Sequence, residues 1–140
     1  MNREEIKQFL PHREPMLLVD EASVDAEGVC HGTYRIPEDA YFCQGHFPDN
    51  PIVPGVILCE IMAQSCCLFV REELLQGRMV VYRGLDQVKF RSSVHPGDEC
   101  RITGRLLEKK GGLTVCEATL SVAGRRCCQA VITLAAVARA

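Results

Sequence analysis

Glu60 and Gln64 stand four residues apart in the most apolar stretch of the chain, Val56 to Val70, so they share one face of any helix formed there. A carboxylate amid apolar side chains is unfavourable unless a partner holds it. The pair reads in two ways: as a structural contact in which Gln64 satisfies Glu60, or as an acid held ready for proton transfer. Upstream, His46 lies between Gly45 and Phe47-Pro48, in a segment leading straight into the stretch. On an ordinary surface loop a histidine needs no function; here it places a base next to the carboxylate-bearing helix. The first N–H groups of that helix, at Gly55 and Val56, have no intrahelical acceptor and can face a developing oxyanion. Base, acid and oxyanion site are the three parts needed to take a proton from carbon beside a thioester and expel a leaving group. Gly55 either lets a ligand carbonyl approach the backbone or merely starts the helix.

Other chemistries fit less well. Cys43 and His46 have C-x-x-H spacing, but no second pair follows, and His12, His31 and His95 are scattered, which speaks against zinc. None of the nine cysteines has an evident histidine partner beyond that same Cys43, so a cysteine nucleophile is poorly supported. Neither G-x-G-x-x-G nor a P-loop pattern is present.

The elements that must position these residues follow from pattern. Prolines at 48, 51 and 54 make Gly45 to Gly55 a stiff loop. Pro54 and Gly55 then open a helix expected to run to about Leu75, apolar almost all round and therefore buried. Before the loop, a charged N-terminal segment forms at most a helical turn, and Met16 to Val24 and Gly28 to Ile36 read as strands. After the helix, Met79 to Arg91, Glu99 to Lys109, Leu113 to Val122 and Arg126 to Val137 read as strands, with turns at His95-Pro96-Gly97-Asp98, Lys110-Gly111-Gly112 and Ala123-Gly124. The fold class is α+β: one long central helix wrapped by a curled, mostly antiparallel sheet of five or six strands.

The whole chain of 140 residues, 1–140, reads as one domain able to bury a core without disulfides or metal. A formal net charge of −2 lacks the basic excess of a nucleic-acid binder. The start, MNREEIKQFL, does not resemble a secretory signal, and the Val56–Val70 stretch, broken by Glu60, Gln64 and Ser65, is short of the ~20 apolar residues of a membrane span. A cytoplasmic protein is expected, its cysteines packing as buried thiols.

The run Gly45-His46-Phe47-Pro48-Asp49-Asn50-Pro51-Ile52-Val53-Pro54-Gly55-Val56, continued by Glu60 and Ala63-Gln64, closely resembles the active-site segment of bacterial 3-hydroxyacyl-[acyl-carrier-protein] dehydratases of the FabZ type. Leu10-Pro11-His12-Arg13-Glu14-Pro15-Met16-Leu17-Leu18-Val19-Asp20 resembles that family's opening motif, as do Gly84-Leu85-Asp86, Lys89-Phe90-Arg91 and Pro96-Gly97-Asp98 its later ones. The chain departs from the family at Ser92-Ser93, where a basic residue and a proline commonly follow. The resemblance implies a hot-dog fold and a homodimer, often a trimer of dimers, in which each site takes its histidine from one subunit and its acid from the other. Related FabA-type enzymes, which also isomerise the double bond, carry aspartate where this chain has Glu60.

The expected activity is removal of water from a (3R)-3-hydroxyacyl thioester on acyl carrier protein in type II fatty-acid synthesis. His46 would take the C2 proton and Glu60 would protonate the departing hydroxyl. Gly55, Val56, Gln64 and Phe47 are the candidate substrate contacts, with Gln64 also orienting Glu60. No cofactor is required, because elimination changes no oxidation state. Lys89, Arg91 and Arg83 are candidates for meeting an acidic carrier protein. The alternatives are a hot-dog acyl thioesterase, with Glu60 activating water, and a non-catalytic acyl-binding protein.

Overall fold

A helix with no polar face must be surrounded, and the chain surrounds it with a six-stranded sheet. The computed structural model describes residues 1–139. In chain order they form α1 (Arg3–Ile6), β1 (Glu21–Val24), β2 (Cys30–Arg35), α2 (Gly55–Ser65), α3 (Arg71–Leu75), β3 (Met79–Phe90), β4 (Glu99–Lys110), β5 (Leu113–Val122) and β6 (Arg125–Val137). The strand order is β1-β2-β4-β5-β6-β3, every neighbouring pair is antiparallel, and β1 and β3 are the edges. This is the expected curled sheet around a central helix.

The sheet approaches α2 closely because its inner face is built from small side chains. Cys30, Gly104, Ala118 and Ala130 lie in register across β2, β4, β5 and β6 and form a trough. A Cβ on Gly32 would lie 2.5 Å from Ser65 Cβ, and one on Gly104 would lie 2.5 Å from Cys66 Sγ, so both positions must lack one. Along β5, Thr114, Cys116, Ala118, Leu120 and Val122 point inward with the two-residue period of a strand. All nine cysteines are buried free thiols, eight of them on or just beyond α2 and on the strands. They serve as small hydrophobes, as expected.

Two expected elements are shorter than the sequence pattern suggests. The stretch expected to be one helix to Leu75 is three pieces: α2, a 3₁₀ turn at Cys67–Val70, and α3. The helix gives way at Cys66, whose N–H is shared between Met62 and Ala63 carbonyls. Cys30 Sγ donates to the Ser65 carbonyl at 3.0 Å, and Lys109 Nζ donates to the Phe69 carbonyl while pairing with Glu73, so carbonyls left near the break are satisfied from the sheet. Likewise the strand expected from Met16 is paired only from Glu21. Leu18 N–H and Met16 C=O bond instead to the side chain of Gln64, at 2.7 and 2.8 Å. Among the described residues no helix is long and apolar enough to cross a membrane.

Candidate active site

The loop between β2 and α2 holds His46 by its own backbone. His46 N–H donates to Cys43 O, Ile52 N–H donates to His46 O, and Phe47 and Asn50 exchange a pair of backbone hydrogen bonds. The Phe47 ring stacks on the imidazole with centroids 4.3 Å apart. Imidazole Nδ1 lies 3.2 Å from the Ile52 carbonyl, which can only accept, so Nδ1 carries the hydrogen and Nε2 presents a lone pair. That is the tautomer a base requires.

His46 opens onto a shallow cavity of about 510 Å³ shared with Gly55, Val56, Phe90, Arg91, Ser92 and Ser93. Ile57 and Leu58 donate to Pro54 O, whereas the N–H groups of Gly55 and Val56 have no acceptor among the described residues. Both residues line the His46 cavity. The missing Cβ at Gly55 has another use: it would stand 2.7 Å from the Phe90 ring, so the glycine makes room for that ring. Phe47 is exposed and lines a different depression, facing Pro48 and Pro51. Arg91 is at the cavity wall, and Arg83, Lys89 and Arg91 form no ion pair among the described residues.

Glu60 lies elsewhere in the same chain. It sits at the polar end of a second cavity of about 270 Å³, beside His12, Gln64 and Tyr82, with Leu10, Val70, Leu74, Val80 and Leu134 among the apolar walls. Gln64 is buried and all its polar capacity near Glu60 is used: Oε1 accepts from Leu18 N–H, while Nε2 donates to Met16 O and, at 2.8 Å, to Glu60 Oε2. Gln64 therefore both orients the acid and anchors the N-terminal segment over it. Burial, then the negative charge of Glu60, pushes the Tyr82 hydroxyl well above its usual value, so it stays neutral and donates to Cys59 O. Burial holds the Cys67 thiol of the cavity wall up at about 12, where it is simply apolar surface.

One chain thus carries two separate clusters: His46 beside the helix N-terminus at Gly55 and Val56, and Glu60 at the polar end of an apolar cavity. Sequence reasoning missed His12 and Tyr82 as neighbours of Glu60. His12 stands in the opening motif, but nothing in one sequence ties residue 12 to residue 60; Tyr82 gave no signal at all.

The architecture places the molecule among hot-dog proteins. A dehydratase heterocomplex from Xenorhabdus doucetiae superposes with a TM-score of 0.78 at 17% identity, covering 94% of this chain and 90% of that one. A hypothetical thioesterase with coenzyme A from Streptococcus pneumoniae gives 0.62 at 16% identity over 85% and 86% of the two chains. At the sequence level, the FabA-like domain model matches residues 10–131. A 3-hydroxyacyl-[acyl-carrier-protein] dehydratase FabZ of Streptococcus equi subsp. zooepidemicus is 40% identical over 96% of this chain and 97% of its own. One from Clostridium perfringens is 35% identical over 96% and 98%. The chain belongs to the FabA-like family, among its FabZ-type dehydratases.

Proposed function

We propose that the protein dehydrates (3R)-3-hydroxyacyl-[acyl-carrier-protein] to the trans-2-enoyl thioester in fatty-acid synthesis, working in the cytoplasm as one domain of residues 1–140. The observation that carries this reading is the Glu60 carboxylate at the head of an apolar cavity, one of its oxygens held by Gln64. His46 Nε2 takes the C2 proton, the C2–C3 double bond forms, the C3–O bond breaks, and Glu60 delivers a proton to the leaving hydroxyl, which departs as water. The Gly55 and Val56 N–H groups receive the negative charge on the thioester oxygen. Electrons stay within the substrate, so no cofactor takes part. Each acyl methylene buried in the cavity contributes about 0.8 kcal/mol, roughly fourfold in affinity.

The two clusters meet across a homodimer in this reading. The β3 edge supports it: a twelve-residue strand paired only on its β6 side, with Met79, Val81, Tyr82, Leu85 and Phe90 exposed, a surface suited to a second copy of itself. Further assembly into a trimer of dimers is compatible with it. Arg91 and Lys89, at the His46 end, meet the acidic carrier protein; Ser92 and Ser93 shape that mouth in place of the family's basic residue and proline.

The test is turnover of a 3-hydroxyacyl thioester on acyl carrier protein, followed by absorbance of the conjugated product, for the parent, His46→Ala and Glu60→Gln. The parent is expected to turn over and both variants to be inactive. Mixing the two inactive variants under subunit exchange should restore about a quarter of parent turnover, since half the dimers then carry one intact site of two. No recovery would place both residues in one subunit's site. Release of free thiol without enoyl product would replace this reading with a thioesterase; product formation by both variants would leave an acyl-binding role only for these residues.

A further inference from the structure

His12 Nε2 lies 3.5 Å from Glu60 Oε2, the same oxygen that receives the Gln64 amide at 2.8 Å. The other ring nitrogen, Nδ1, is buried and has no hydrogen-bond partner. A hydrogen on Nδ1 would therefore have no acceptor, so in the neutral ring it sits on Nε2, the nitrogen on the carboxylate side. Of the other groups facing Glu60, the Tyr82 hydroxyl donates to the Cys59 carbonyl at 3.3 Å and has its pKa raised by burial and then by the nearby Glu60, and Cys59 packs against Cys128. Among the described residues no side-chain or backbone hydrogen bond of normal geometry reaches Glu60 Oε1. The Gln64 hydrogen bond and the approach of His12 at 3.5 Å both fall on Oε2, which makes the two oxygens of Glu60 unequal. Negative charge is favoured on Oε2 and the transferable proton on Oε1.

We propose that His12 is a positioning residue for Glu60: with Gln64 it fixes which carboxylate oxygen bears the proton and aims that oxygen into the cavity. The inference rests on Glu60 acting as the acid. His12 comes from the segment that Gln64 anchors through Met16 and Leu18, so a single amide holds both the acid and the residue that braces it. An unpaired buried nitrogen is a liability for folding alone, and the contact it leaves to the ring's other nitrogen is with the acid.

Steady-state kinetics of His12→Ala, His12→Gln and His12→Asn in the full chain test this on the same thioester. In His12→Ala, kcat should fall by up to about a hundredfold, the loss typical of a reacting group mis-set by an ångström, with KM and the thermal midpoint little changed. His12→Gln puts an amide N–H where Nε2 was and should recover most of the rate, while His12→Asn, whose shorter amide cannot reach, should not. Parent kcat in His12→Ala, or equal rates for the Gln and Asn variants, would overturn the proposal, and the Gln–Asn comparison decides even if the alanine variant fails to fold. Failure of the underlying reading looks different: Glu60→Gln would then keep its turnover whatever His12 does.

Discussion

At the scale of single residues, the charged groups that matter for activity are few, and those that matter for acid tolerance lie elsewhere. Glu14, next to the segment bearing His12, is held down to about 2 by its own backbone N–H, then by Lys7 and Arg3. Its folded value is below its unfolded one, so its contribution to stability is present above about pH 4.5 and disappears as pH falls towards 2. Glu14 is exposed, and salt screens the effect. The difference in thermal midpoint between the parent and Glu14→Gln should accordingly be largest at neutral pH and low salt and vanish near pH 2. A difference unchanged across that range would show that Glu14 stabilises through something other than its charge. Gln64 is a contrasting case: uncharged and buried, it ties the N-terminal segment, the helix and the acid together through one amide.

At the scale of elements, the distance between α2 and the sheet is set by what is missing. Gly32 faces Ser65 so closely that an added methyl would stand 2.5 Å from Ser65 Cβ and 2.6 Å from its hydroxyl. Gly32→Ala should destabilise by about 1–3 kcal/mol through overpacking. Ser65→Gly clears that space, though glycine in a helix costs about 1 kcal/mol itself. Denaturant unfolding of both single variants and the double should therefore give a double variant more stable than the sum of its parts. Strict additivity would mean that the methyl is accommodated by moving the strand instead. The break at Cys66 belongs to the same scale. It lets Val70 and Leu74 turn across the cavity beside Glu60, where a straight helix would have carried them past it.

For the whole molecule, the cysteines give the most direct readout of how closed the core is. Burial raises Cys67 and Cys100 to about 12, and all nine thiols are buried. At pH 8 the folded protein should react with almost none of a thiol reagent such as 5,5′-dithiobis(2-nitrobenzoate), and the protein in guanidinium with nine equivalents. Rapid reaction of several thiols in the folded protein would mean that the sheet opens readily around α2.

Sequence alone carried the fold class and the local signals of the candidate site, though not His12 or Tyr82 as neighbours of Glu60. His46, Glu60, Gln64 and the helix start at Gly55 were legible because proline spacing and a polar pair in an apolar run are local signals, and strands with clear turns announce themselves in the same way. Tertiary structure decided the rest, for reasons that are non-local. The helix ends at Ser65 because Cys30 and Lys109, far away in the chain, satisfy the carbonyls that the break leaves. Residues 16–18 leave the strand because a glutamine 46 residues later takes Leu18 N–H. Gly55 is small for the sake of Phe90, and His12 reaches Glu60 only because the N-terminal segment is pinned over α2. A sequence records which groups are available to hydrogen-bond or pack; which of them meet is fixed only when the sheet closes on the helix.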